Sequence, residues 1–83
     1  IKTLIMQVEI INPDKQIFSG EADLVQLPGK DGSFEILNNH APIISVLKNG
    51  KVKIVDKEKN VQFFEIKGGV IEVLNNKILI LSE

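Results

Sequence analysis

Apolar and polar residues alternate along most of this chain, and turn residues punctuate the alternation at intervals of roughly ten positions. Helix signals are nearly absent, and β-branched residues crowd the intervals, so the pattern predicts an all-β protein. Over residues 4–11, Met6, Val8 and Ile10 share one face, with Gln7 and Glu9 on the other. Asn12-Pro13-Asp14 ends that segment, because proline cannot donate to a ladder and Asn and Asp favour turns. Ile17-Phe18-Ser19 resumes extended structure, and Gly20 suggests a bulge or corner. Over residues 21–27, Ala22 and Leu24 face one way and Glu21 and Asp23 the other. Val25 and Leu27 fall on the Glu21 side, so the outer face turns apolar toward its end.

Pro28-Gly29-Lys30-Asp31-Gly32 reads as a hairpin connection with glycines where positive φ is needed. Residues 33–37 form a short strand. The loop Asn38-Asn39-His40-Ala41-Pro42 follows, and its proline disfavours helix at Ala41. Further strands are expected over residues 43–47 and 51–55, then a polar hairpin tip over 56–60. Residues 62–67 return with Phe64 and Ile66 inward and Phe63 beside Glu65. Gly68-Gly69 interrupts the strand geometry, Ile71 and Val73 point inward, and Asn75-Asn76 is a type I′ turn candidate. Residues 78–81 are apolar on both faces, which predicts a strand covered on both sides. The expected architecture is a single domain over residues 1–83, a two-sheet β-sandwich of about eight to ten short, mainly antiparallel strands.

Composition narrows the function more than the fold. The 83 residues are 43% hydrophobic and 25% charged, enough for one modest core and too apolar for intrinsic disorder. The net charge of -1 and pI near 5.8 create no broad pull toward nucleic acid or anionic membrane. With no cysteine, disulfides, thiolate catalysis and cysteine-ligated zinc are excluded. No run reaches the roughly 18 apolar residues of a membrane-spanning helix. The N-terminal five residues lack the apolar core and cleavage site of a signal peptide.

The candidate chemistry is thin. His40 is the sole histidine; Asp31, Ser33 and Ser45 could stand near it, but no nucleophile elbow surrounds either serine. The 29–32 glycines lack a phosphate-loop motif and a following helix. Carboxylates are scattered singly along strand exteriors, unpaired for acid–base work. No catalytic residue, metal or cofactor is expected. Val55-Asp56-Lys57 at a hairpin tip offers one alternative, since it resembles the swinging-arm lysine of lipoyl carrier domains, although Ile54 stands where an acidic residue is expected. Val25, Leu27, Val70, Leu79 and Leu81 are out of phase with the inward positions. Clustered, they form a patch larger than a monomer ordinarily leaves exposed; scattered, they need no explanation.

The run Gly32-Ser33-Phe34-Glu35-Ile36-Leu37-Asn38-Asn39-His40-Ala41-Pro42 resembles the G-x-[FL]-G-I-L-P-x-H-A-P motif of the epsilon subunit of F-type ATP synthases (delta in mitochondria). Gly68-Gly69-Val70-Ile71-Glu72-Val73 is similar to that family's G-G-[FI]-[VL]-E-V. Val8-Glu9-Ile10-Ile11-Asn12-Pro13 and Phe18-Ser19-Gly20-Glu21-Ala22 resemble its first strands, and Lys77-Ile78-Leu79-Ile80-Leu81 its last. Glu35 and Asn38 depart from the usual glycine and proline, and Asn38 forgoes proline's fixed φ. Ser33 stands where some members carry an acidic residue toward the rotor ring.

The resemblance implies a sandwich domain of the rotating central stalk, coupling the membrane c-ring to the gamma subunit during proton-driven ATP synthesis. It places the domain peripherally, on the cytoplasmic face of the bacterial inner membrane, touching the membrane only through the complex. Lys30, Asp31, Gly32, Ser33, Asn38, Asn39, His40, Ala41 and Pro42 are expected at the c-ring loops. Asn12, His40, Val25, Leu27, Val70 and Leu79 are expected toward gamma. The inhibitory helical hairpin that follows the sandwich in many members is not expected in a sequence that stops at Glu83.

Overall fold

The alternation becomes nine strands in the computed structural model, which describes residues 5–83. In chain order they are β1 (Met6–Ile11), β2 (Gln16–Ala22), β3 (Leu24–Gly29), β4 (Gly32–Leu37), β5 (Ile43–Leu47), β6 (Gly50–Val55), β7 (Val61–Ile66), β8 (Gly69–Leu74) and β9 (Lys77–Ser82). Among the described residues every regular element is a strand. Leu4, the expected start of the first strand, lies outside the described residues.

The strands form one hydrogen-bonded path, β2-β1-β9-β8-β5-β3-β6-β7, with β4 paired to β3. All pairings are antiparallel except β1 with β9, which run parallel from Gln7↔Lys77 to Ile11↔Leu81. Between β5 and β3 the path narrows to a single pair, Gly29↔Leu47. That constriction separates a five-strand half (β2, β1, β9, β8, β5) from a four-strand half (β4, β3, β6, β7). The far ends of the path meet where Phe18 of β2 and Phe64 of β7 pack with ring centroids 5.1 Å apart and planes at 49°. The sheet therefore curls back on itself around a common core, and the tilted ring pair adds to the gain from burial alone.

Every strand contributes to that core, and Met6, Val8 and Ile10 occupy it as the alternation requires. Fully burying a side chain of this kind stabilises the fold by about 1.5–3 kcal/mol. Phe64 and Ile66 face inward, while Phe63 stays 59% exposed beside Glu65. Asn75 and Asn76, at φ 51° and 62°, form the expected left-handed pair between β8 and β9.

Val25 and Leu27 overturn the expectation of an apolar outer face on β3: both are 0% exposed. The cause is a corner at Asp23, whose N–H donates to the Val55 carbonyl at 2.8 Å. The corner ends β2 at Ala22 and restarts the alternation at Leu24, so Val25 and Leu27 turn inward. The expected irregularity near Gly20 lies elsewhere, because Gly20 pairs in register with Val8. The register instead slips where Ile10 and Ile11 face Phe18 and Gln16, leaving Ile17 as the extra residue. In the β3–β4 turn only Gly32 takes a left-handed φ, 135°; Gly29 is needed for space, since a Cβ there would sit 2.5 Å from the Gly32 carbonyl. β9 is fully covered only on its inner face, with Ile78 and Ile80 buried, Leu79 half-buried and Leu81 45% exposed.

Candidate functional site

Because Ile71, Val73, Ile78 and Ile80 point into the core, their chain neighbours point out. Pair register then sets these outward residues side by side across β5, β8, β9 and β1. One row reads Val46, Val70, Leu81, Ile11, and the next Ile44, Glu72, Leu79, Glu9. Leu74 and Lys77 begin a third row. Ile44 is 74% exposed, and Val46, Val70, Leu74 and Leu81 are exposed beside it. This is one contiguous apolar field with Glu72 inside it, not a scatter.

Val70, Leu79 and Leu81 from the sequence reading lie on this field; Val25 and Leu27 do not. Ile44, Val46 and Leu74 were missed. Their signal was present in β5, where Ile44 and Val46 occupy the outward positions and Ser45 stands opposite Ile71. A strand that places its apolar residues outward is prepared to be covered.

The two candidate loops flank the field at opposite ends. Lys30 and Asp31 form the two-residue β3–β4 turn, closed by the Gly29↔Gly32 pair. Lys30 N–H donates to the Val46 carbonyl at 3.1 Å, which ties the turn to the field's edge. A hollow of ≈ 430 Å³ there is lined by Lys30, Asp31, Gly32, Ile44, Val46 and Val70 among others. Asn38, Asn39, His40, Ala41 and Pro42 stand beyond the other end of β4. Pro42 lines a ≈ 370 Å³ hollow with Ile43, Ile44, Glu72, Val73 and Leu74. A six-residue strand spans about 17 Å, so the structure does not bring the two loops together. Ser33, at the start of β4, stays with the turn.

Asn12 lies at the end of the strands that carries the 30–31 turn, away from His40. Its Oδ1 accepts the N–H groups of Asp14 and Lys15, each at 2.8 Å, so its side chain shapes its own turn. His40 is half-buried, with Nδ1 2.7 Å from the Ala41 carbonyl. A carbonyl only accepts, so Nδ1 carries the proton in that contact. The 38–42 loop is tied to the β8–β9 turn: Asn39 N–H donates to Asn76 Oδ1 at 2.8 Å, and Asn76 Nδ2 donates to Asn38 Oδ1 at 3.3 Å.

Lys57 is exposed at the β6–β7 tip. Asp56 organises that tip, its carboxylate accepting the N–H groups of Asn60 and Glu58 at 2.9 Å each and the Asn60 side-chain amide at 3.2 Å. The Asn60 backbone bond, with the other two, holds the Asp56 carboxyl below its ordinary value against a smaller opposing effect of desolvation.

The β-sandwich domain of the ATP synthase delta/epsilon chain matches residues 5–83. The chain belongs to that family. The ATP synthase epsilon chain of Chlorobium limicola is 43% identical over 93% of this chain and 88% of its own length. That of Campylobacter curvus is 40% identical over 94% of this chain and 60% of its own. A chain in the Euglena gracilis mitochondrial ATP synthase, OSCP/F1/c-ring in rotational state 1, superposes with a TM-score of 0.90 at 15% identity, covering 96% of this chain and 51% of that one. A chain in the Tetrahymena thermophila mitochondrial ATP synthase central stalk and c-ring gives 0.75 at 24%, covering 93% and 62%. At those identities the structural likeness speaks for the fold. Membership of the epsilon family accounts for the motifs read from the sequence and leaves the carrier-domain alternative at Lys57 without support.

Proposed function

We propose that this epsilon-family domain is a non-catalytic element of an ATP synthase central stalk, transmitting rotation between the c-ring and the gamma subunit. The observation that carries this reading is the apolar field of Ile44, Val46, Val70, Leu74, Leu79 and Leu81, flanked at each end by a presented loop. A surface of that character needs a covering partner, and gamma is the partner the family supplies. The 38–42 loop borders the same field through Pro42 and belongs with the gamma contact. Lys30, Asp31, Gly32 and Ser33, about 17 Å away along β4, meet the polar loops of the c-ring. This division refines the sequence reading, which placed both loops on the ring and His40 toward gamma as well.

The mechanics follow from the fold. A single sheet curled around one core passes load without local opening, which is what a torque element requires. No side chain has to react. The domain sits peripherally at the cytoplasmic face of the bacterial inner membrane and meets the membrane through the ring.

The test is binding to gamma from the same synthase. Ile44→Asp with Val70→Asp places two charges in the field and is expected to weaken gamma binding at least about tenfold, as loss of central interface anchors does, while the circular dichroism spectrum is unchanged. Wild-type affinity in the folded double variant rejects the surface assignment. For the ring, Lys30→Glu with Asp31→Lys is expected to lower proton-driven ATP synthesis while leaving gamma binding intact.

A further inference from the structure

The 38–42 loop places Asn39 in the left-handed region, φ 64°, a conformation that costs a non-glycine residue free energy unless its surroundings hold it. His40 N–H donates to the Leu37 carbonyl at 3.2 Å, which closes the turn locally. Asn76 supplies the hold from outside. Its Oδ1 accepts the Asn39 N–H at 2.8 Å, and its Nδ2 reaches Asn38 Oδ1 at 3.3 Å. Its backbone carbonyl also accepts the Gln7 N–H at 3.0 Å. An N–H can only donate, so Asn39 settles which way the Asn76 amide points. One residue thereby joins three segments: the loop, the β8–β9 turn and the beginning of β1.

Asn76 is able to do this because of its own backbone. At φ 62° it occupies a type I′ position that Asn, Asp and Gly fill readily, and among these Asn offers a donor and an acceptor together. The bond to the loop uses the Asn39 backbone, so the exposed Asn39 side chain is not consumed by it.

We infer that Asn76 is a positioning residue for the contact edge formed by Asn39 and His40, holding the edge in its bound shape before the partner arrives. This rests on the reading that the 38–42 loop touches gamma. A preformed edge spares the complex the ordering cost that a loose loop incurs on binding, so the effect falls on affinity and not on the fold.

The experiment uses Asn76→Gly, which keeps the turn's backbone and deletes the amide. Asn76→Asp keeps an oxygen facing the Asn39 N–H, and Asn75→Gly alters the same turn without touching the latch. Amide hydrogen exchange at Asn39 is measured by NMR on the chain alone, and affinity is measured against gamma. Asn76→Gly is expected to quicken Asn39 exchange about tenfold and weaken gamma binding about three- to tenfold, the scale of one or two net hydrogen bonds. Asn76→Asp, which keeps the acceptor at Asn39 and lacks only the longer donor bond to Asn38, restores most of both, and Asn75→Gly changes neither. Unchanged Asn39 exchange in Asn76→Gly overturns the latch. Faster exchange with wild-type gamma affinity overturns the positioning role. The Ile44→Asp, Val70→Asp variant tests the gamma surface independently, so failure of the latch and failure of the surface are separate results.

Discussion

The two ends of β4 are built by different means. At its beginning, the turn through Lys30 and Asp31 is made by its neighbours: Gly32 takes the left-handed φ, and Gly29 leaves room for the carbonyl across from it. At its far end, the loop through Asn38 and His40 takes its shape from Asn76, 37 positions beyond Asn39. The first is a local device, and at Gly29 it tolerates no added bulk. The second adds to its local Leu37–His40 bond a tertiary hold from one amide. Two loops on one small domain can therefore be altered independently.

The strongest way to break the contrast is to remove what lies under the local end. Leu27→Ala is expected to cost about 2–5 kcal/mol in urea or thermal unfolding, as for other buried leucines; a loss under about 0.5 kcal/mol would mean an outward Leu27. Gly29→Ala comes next, at about 1–3 kcal/mol, because the new Cβ would sit 2.5 Å from a backbone oxygen and force it to shift. Gly32→Ala sharpens the point. Nothing lies within 4 Å of its added Cβ, so only the φ strain remains, about 1 kcal/mol. If Gly32→Ala proves the more damaging of the two, conformation and not space governs the turn.

At the tertiary end, Asn39→Gly is expected to change stability by less than about 0.5 kcal/mol, since the bond to Asn76 leaves from the backbone and glycine accepts the same φ. A larger loss would show that the Asn39 side chain carries part of the latch. Asp56 provides a smaller, purely local reference. Its carboxyl is held below the ordinary 3.8, so its contribution is present above that pH and is lost as pH falls through the lowered folded value. NMR titration of Asp56 should follow this course, and Asp56→Asn should remove its share of the acid sensitivity.

What could be read from the sequence follows the same division. The inward face of β1, the Asn75-Asn76 turn and the 56–60 tip were legible because each is decided by residues a few positions apart. Val25 and Leu27 were misplaced because the corner at Asp23 is held by the Val55 carbonyl on another strand, and a single broken period inverts every residue after it. Ile44 and Val46 were missed because β5 presents its apolar side outward, which only the pairing with β8 reveals. Asn38, lacking proline's fixed geometry, looked like a loosened position; the structure shows an amide from the opposite turn beside it. Length of contact along the chain, more than subtlety of chemistry, separated what could be read from what could not.

The parallel pairing of β1 with β9 also governs when this domain comes into being. β9 is the bridge between the β1–β2 pair and β8, and without it the first two strands form only a hairpin, which is marginal in water. A ribosome delivers β1 before β9, so the β1–β2 pair must wait for its neighbour until the strands between them have been made. The same late strand brings Leu79 and Leu81 to the outer field. Completion of the fold and completion of the outer apolar field are thus one event.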